Sequence, residues 1–258
     1  MAAAPILDKV LIANRGEIAC RVIDTCRRLG IKTVAVHSTV DEQAKHVKMA
    51  DEAVCLGTAL SADSYLRSDR IIEACLDKKV TAVHPGYGFL SENSQFSADL
   101  AKNNILFVGP DAHAIESMGD KINSKKIAKE AGCTIIPGFT GEIESHKMLL
   151  EKANEIGYPV MVKASAGGGG KGMKIAFNDA DCVEAFDLCK AEALASFGND
   201  TMLVEKFIEH PRHIEVQVIA DRHGNTLYLP ERECSIQRRN QKVLEEAPSS
   251  FITPEVRK

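Results

Sequence analysis

Short apolar runs alternate with helically spaced apolar positions through the first 110 residues of the chain. Residues 9–13 (KVLIA) form such a run, and Ile18, Val22, Ile23, Cys26 and Leu29 then recur at a helical period until Gly30 stops them. A second run, KTVAVHS, begins at Lys32, so residues 9–37 predict one β-α-β unit with a right-handed crossover. The pattern repeats. A strand is expected over 53–56, a helix over 68–77, and a strand in VTAVHPGYGF that breaks at Pro85 and Gly86. A helix over 93–103 and a strand in ILFVGP, ending at Gly109 and Pro110, complete the series. Several such units predict a doubly wound parallel sheet, with ligands expected beyond the carboxyl ends of the strands. Residues 14–17 (NRGE) and 84–93 (HPGYGFLSEN) fall there.

After Pro110 the texture changes. Helices are expected near 112–131 and 145–156, and the strands YPVMVKAS and GMKIAF flank a run of glycines. A helix around 180–196 follows, and then TMLVEKFI, HIEVQVIA and TLYLPERE read as three strands joined by short polar turns such as 221–225 (DRHGN). Strands in that order predict an antiparallel meander, so residues after about 130 are expected in a different layer arrangement from the α/β first 110.

Composition narrows the classes. With 258 residues, 45% apolar and 26% charged, the chain can form one large domain or two small ones with real cores. A net charge of -4 predicts neither a nucleic-acid grip nor attachment to a membrane surface. The eight cysteines include no Cys-x-x-Cys pair, which argues against a zinc site and for a reducing compartment. No apolar run reaches the ~18 residues of a membrane span, and the start, MAAAPILDKV, has the layout of neither a secretory signal nor an arginine-rich transit segment.

Candidate chemistry begins at 163–174 (KASAGGGGKGMK). The segment formally satisfies Gly-x-Gly-x-x-Gly, but a dinucleotide fingerprint must open a helix. Here Met173, Ile175 and Phe177 alternate with Lys174 and Ala176, a strand signal. A Walker loop fails too, because Met173 follows Gly172 where lysine and then serine or threonine are required. The segment therefore predicts a strand, a glycine loop and a strand. Such a hairpin can aim several backbone amides at nucleotide phosphates, with Lys163 and Lys171 adding charge, or it can be a flexible surface link. Glu205 and Lys206 sit mid-strand, either holding adenine and ribose or forming a surface ion pair. In RHIEVQV, His213, Glu215 and Gln217 share one face of a strand, which marks either a wet cleft or a structural histidine with polar neighbours. ERECSIQRRNQKVLEEAP masses Arg232, Arg238, Arg239 and Lys242 among glutamates, either as a solvated face or with Gln237, Asn240 and Lys242 as donors to nucleotide and anion.

Taken together, IANRGEIACRV, HPGYGFLSEN, MGDK, KASAGGGGKGM, EKFIEHPRHIEVQV and ERECSIQRRNQKVLEEAP resemble the biotin carboxylase family along essentially the whole chain. The resemblance implies a pre-ATP-grasp α/β domain over 1–115 and an incomplete ATP-grasp α+β domain over 116–258, with a glycine-rich lid subdomain at about 135–205. RECSIQRRNQK is similar to the propionyl-CoA carboxylase branch and argues against another ATP-grasp ligase, such as a carbamoyl-phosphate-forming enzyme. Many family members carry histidine at the position of Asn240; asparagine can hydrogen-bond there but carries no charge.

The resemblance also implies roles. Lys121 and Lys163 would contact ATP phosphates, and Gly167, Gly168, Gly169 and Gly170 would form the lid loop. Glu205 and Lys206 would hold adenosine. His213, Gln237 and Asn240 would line the ribose and phosphate region, and Lys242 would approach bicarbonate. The implied reaction uses ATP and Mg2+ to activate bicarbonate as carboxyphosphate and carboxylates biotin on a carrier domain. Implied partners are that biotin carboxyl carrier domain, a carboxyltransferase β subunit and further copies of the chain, in the mitochondrial matrix or the cytoplasm. The family's magnesium-binding glutamates and catalytic arginine lie beyond Lys258, so no metal ligand is assigned in this chain, and the 258 residues by themselves are expected to be inactive. The alternative is a naturally short, inactive nucleotide-binding or interaction module.

Overall fold

The computed structural model describes residues 7–139, 141–165, 172–221, 223–239 and 241–257. It divides into two compact units, the first ending at Gly119 and the second beginning at Asp120.

The first unit runs β1 (Lys9–Ile12), α1 (Gly16–Arg28), β2 (Lys32–Ser38), α2 (Lys45–Met49), β3 (Glu52–Gly57), α3 (Ser68–Asp77), β4 (Ala82–His84), α4 (Ser94–Lys102), β5 (Leu106–Phe107) and α5 (Ala112–Gly119). Its sheet has the order β3-β2-β1-β4-β5, and every neighbouring pair is parallel. Successive strand residues serve opposite faces. Leu11, Val34, Val36 and Val83 pack with Phe96 and Leu100 on one side. On the other, Val10 and Ala82 meet Cys26, and Ile12 meets Ala19 and Ile23. Burial on both faces explains why these strands read as unbroken apolar runs. The short helix α2 was not foreseen.

The strand order reverses between β1 and β4, where a doubly wound sheet offers its crevice. Here the polar groups satisfy one another. Asn14 is buried, and its Nδ2 donates to the carbonyls of Pro85 at 2.9 Å and Tyr87 at 2.7 Å. Gly86 has φ +64°, and a Cβ there would lie 2.7 Å from Asn14 Nδ2, so glycine is needed both for the turn and for the approach.

The second unit runs α6 (Lys121–Glu130), α7 (His146–Ile156), β6 (Val160–Ala164), β7 (Met173–Ala176), α8 (Asp179–Phe197), β8 (Met202–Lys206), β9 (Ile214–Glu215), β10 (Val218–Ala220), β11 (Thr226–Tyr228), β12 (Arg232–Arg238), β13 (Gln241–Glu246) and α9 (Pro254–Arg257). Among the described residues it forms three small sheets, β7-β6-β8, β13-β12-β9 and β10-β11. In the first, Val160, Val162, Ala176, Met202 and Val204 pack against Leu149 and Ala153 of α7 and against Cys182, Phe186 and Cys189 of α8. The helices cover that one face.

Three expectations need correction. The helix expected over 112–131 is two helices, because Asp120 leaves the helical path and its carboxylate accepts from Asn123 N at 2.7 Å, capping α6. HIEVQVIA is split between β9 and β10, which belong to different sheets. Only part of the expected meander forms: β10 and β11 pair as an antiparallel hairpin across the 221–225 turn and β9 pairs with β12, but β8 pairs with β6 instead of the strand that follows it. Alternation assigns a residue to a face of a strand but does not name the strand's partner. All eight cysteines are free, with Cys26, Cys75, Cys182, Cys189 and Cys234 buried. Among the described residues, no helix is long and apolar enough to cross a membrane.

Candidate functional site

The site lies in the second unit, on the sheet face that α7 and α8 leave uncovered. In the antiparallel pairing of β6 with β8, Met161 opposes Glu205 and Lys163 opposes Leu203. Val160, Val162 and Ala164 point into the core, so Met161 and Lys163 point away from it with Glu205. The Glu205 side chain is only 5% exposed and is shared by two ammonium groups. Lys163 bonds Oε1, and Lys125, reaching from α6, bonds Oε2. Burying a carboxylate this deeply requires such partners.

One turn before Lys125, Lys121 Nζ donates to the carbonyls of Ala164 at 3.2 Å and Ser165 at 3.1 Å. Its ammonium is held below the usual lysine range, first by burial and then by the nearby Lys163 charge. Ser165 Oγ donates to Asp120 Oδ2 at 2.7 Å, and Gly172 N donates to Glu192 Oε2 at 2.8 Å. Ala164 N also donates to Gly172 O at 2.8 Å. Both ends of the glycine segment are thus fixed to helices. Gly167, Gly168, Gly169, Gly170 and Lys171 themselves lie outside the described residues, as does Asn240.

Beside the lysines is a cleft of about 370 Å³ lined by Met161, Met173, Phe207 and Ile208, with Lys163 and Glu205 among its polar groups. An apolar cleft of this size with a few converging polar groups suits a flat organic ring. Lys206 does not join Glu205 at this surface through its ammonium. It is the next residue along the strand, so its side chain turns the other way, and its Nζ donates to the carbonyls of Gly157 and Tyr158, both at 2.9 Å.

The chain then passes Pro211 and Arg212, which line both this cleft and a second one of about 500 Å³ that also contains His213, Ser235 and Gln237. Glu215 organises this second region. It accepts from Arg232 Nε at 2.6 Å and from Lys242, and His213 Nε2 lies 3.4 Å away. The Glu215 carboxyl is held down to about 2, first by Lys242 and then by Arg232, and Lys242 is raised in turn by Glu215. Gln237 Nε2 lies 3.0 Å from His213 Nδ1 and donates to Cys234 O at 2.9 Å. Gln217 Oε1 accepts from Arg232 at 3.4 Å, so His213, Glu215 and Gln217 do turn toward one polar surface.

The structure therefore gathers Lys121, Lys163 and Glu205 in one cluster and His213, Gln237 and Lys242 in a second, and it turns the Lys206 ammonium elsewhere. Sequence reasoning missed Lys125. Its signal was available: it stands four residues after Lys121, on the same face of α6.

Residues 6–115 match the family described as the biotin carboxylase N-terminal domain, and residues 120–258 match that described as the carbamoyl-phosphate synthase L chain ATP binding domain. This chain belongs to the biotin carboxylase family. Among family members, the mitochondrial propionyl-CoA carboxylase alpha chain of Caenorhabditis elegans is 64% identical over 254 residues, covering 98% of this chain and 35% of that protein. The biotin carboxylase of Nostoc sp. is 53% identical, with 97% of this chain and 56% of that protein covered. Among solved structures, the biotin carboxylase domain dimer of Hydrogenobacter thermophilus 2-oxoglutarate carboxylase, in complex with MgADP, ADP and bicarbonate, has a TM-score of 0.95 at 48% identity. It covers 98% of this chain and 56% of that one. The chain thus spans about a third of the curated alpha chain and just over half of the biotin carboxylases it matches.

Proposed function

We propose that the chain is the nucleotide-binding part of a biotin carboxylase of the propionyl-CoA carboxylase alpha type, which uses ATP and bicarbonate to carboxylate biotin on a carrier domain. The observation that carries this reading is the junction of Lys121 and Lys163 at the strand end that opens the glycine run, beside an apolar cleft. The cleft takes the adenine ring. The two ammonium groups, with amides of Gly167, Gly168, Gly169 and Gly170, take the polyphosphate. The backbone of Glu205 and Lys206 follows the adenosine. His213, Gln237 and Asn240 line the ribose and phosphate side, and Lys242, already oriented by Glu215, stands toward bicarbonate.

In the reaction, a bicarbonate oxygen attacks the γ-phosphorus, and the bond to the ADP oxygen breaks. The resulting carboxyphosphate releases carbon dioxide and phosphate; N1 of biotin gives its proton to that phosphate and bonds the carbon dioxide. Positioned cations do most of this work, because negative charge accumulates between two anions. Mg2+ would neutralise phosphate charge when bound. Among the described residues, the acidic, histidine and cysteine groups that could converge on an ion are Glu215, Cys234 and Glu245. That set includes a thiol and a carboxylate already paired with two cations, whereas Mg2+ demands near-octahedral oxygen ligands. The described residues do not fit it, and no step here is assigned to it. We accordingly expect negligible bicarbonate-dependent ATPase from the 258-residue chain alone.

We further propose a mitochondrial matrix location, a carboxyltransferase β subunit as partner and a homo-oligomer; the name of the Caenorhabditis elegans relative, a mitochondrial alpha chain, and the dimeric biotin carboxylase domain support the mitochondrial and oligomeric parts of this reading. Calorimetric titration with ATP tests the site. Lys163→Met should lower ATP affinity at least tenfold, and equal affinity in the variant and the parent chain would overturn the assignment.

A further inference from the structure

Glu205 has two oxygens and two cationic partners, and the partners are not equivalent. Lys163, on Oε1, lines the apolar cleft. Lys125, on Oε2, stands outside that lining, on a helix whose first turn is capped by Asp120, and its ammonium also reaches the carbonyl of Ile136 at 3.4 Å. Its side chain is the less exposed of the two, 16% against 21%.

Resting on the nucleotide reading above, we propose that Lys125 is a positioning residue: it is the standing counter-charge of Glu205, which lets Lys163 turn its ammonium from the carboxylate to the phosphates of a nucleoside triphosphate. The physical requirement is plain. An ammonium that already neutralises a buried carboxylate can move to a ligand only if the carboxylate keeps another partner, because an unpaired buried charge is strongly disfavoured. The partition of the two oxygens meets that requirement. Lys121 strengthens the case, since its burial beside the Lys163 charge makes the space between the two ammonium groups favourable for an anion. Without Lys125, Lys163 stays on Glu205 and the polyphosphate loses a contact, while the ring in the cleft is unaffected.

The test is calorimetric titration of the full chain and its Lys125→Met, Lys125→Gln and Lys125→Arg variants with ATP, adenosine and tripolyphosphate, with thermal unfolding of each in parallel. Lys125→Met and Lys125→Gln should bind ATP and tripolyphosphate about tenfold more weakly and adenosine within about twofold of the parent chain. Lys125→Arg should recover most of the ATP affinity, since it keeps the charge. A loss shared equally by ATP and adenosine would show a merely structural role and overturn the proposal, and so would unchanged ATP affinity. If Lys125→Met does not fold, the comparison of the glutamine and arginine variants decides by the same criteria. A parent chain that binds neither ATP nor tripolyphosphate would sink the nucleotide reading itself and take this inference with it.

Discussion

Replacing Glu205 with glutamine is the most informative single perturbation of the second unit. It keeps the shape and removes the charge that Lys125 and Lys163 share. At an effective dielectric constant of about 20, each contact contributes roughly 4 kcal/mol of gross attraction. Desolvation of the three groups offsets much of this, and removing one partner of a buried pair typically costs about 3–5 kcal/mol. Both lysines retain some exposure, 16% and 21%, so their ammonium groups can turn toward water, which lowers the expected loss to about 2–3 kcal/mol. Hydrogen exchange followed by mass spectrometry is the suitable assay, because the chain has no tryptophan and two compact units that need separate readouts. Exchange in peptides covering β8 should accelerate about 30- to 160-fold, while peptides covering β2 in the first unit stay unchanged. A triple variant, Glu205→Leu with Lys125→Met and Lys163→Met, should recover most of the loss, because no charge is then left unpaired. Acceleration below about threefold in β8, or an equal effect in β2, would refute the reasoning.

The remaining predictions concern the support of the site. Gly138 bridges to Glu205, and a Cβ there would lie 2.7 Å from Glu205 Cβ and 2.9 Å from Val204 O. Gly138→Ala should therefore destabilise the second unit by about 1–3 kcal/mol, read as a lower thermal midpoint; an unchanged midpoint would contradict the contact. Glu215 has a depressed folded value of about 2, so its contribution to stability is fully present above the ordinary glutamate range and disappears as pH falls through about 2. Glu215→Gln should be less stable than the parent at neutral pH, and the difference should shrink on acidification. A constant gap across an acid titration followed by circular dichroism would count against the pairing with Lys242 and Arg232.

Much of this was legible in the sequence where local signals act alone. The helix at 68–77 follows from its apolar spacing, and the first unit's strands from runs that only two-sided burial produces. Partner choice was not legible. TMLVEKFI carries the same alternation whether its neighbour is the next strand or β6, and only the packing of Val160, Val162 and Val204 against α7 and α8 selects β6. HIEVQVIA looked continuous because Ile214, Val216 and Val218 alternate regularly, yet β10 folds back on the next strand, β11, while β9 pairs with β12. The glycine run left a phosphate-cradling hairpin and a flexible link both open, and residues 166–171 lie outside the described ones. Lys125 was overlooked because the quoted motif stopped at Lys121, although its i+4 spacing places both lysines on one helix face.

Asp120 bears on how the protein can be taken apart in the laboratory. It opens the second unit, caps α6 and receives the hydroxyl of Ser165 at the root of the glycine segment. A separately expressed second half must begin at or before this residue. Starting a few positions later would discard a helix start and a tether of the glycine root in one cut, and weak ligand uptake by such a piece would then report the position of the cut.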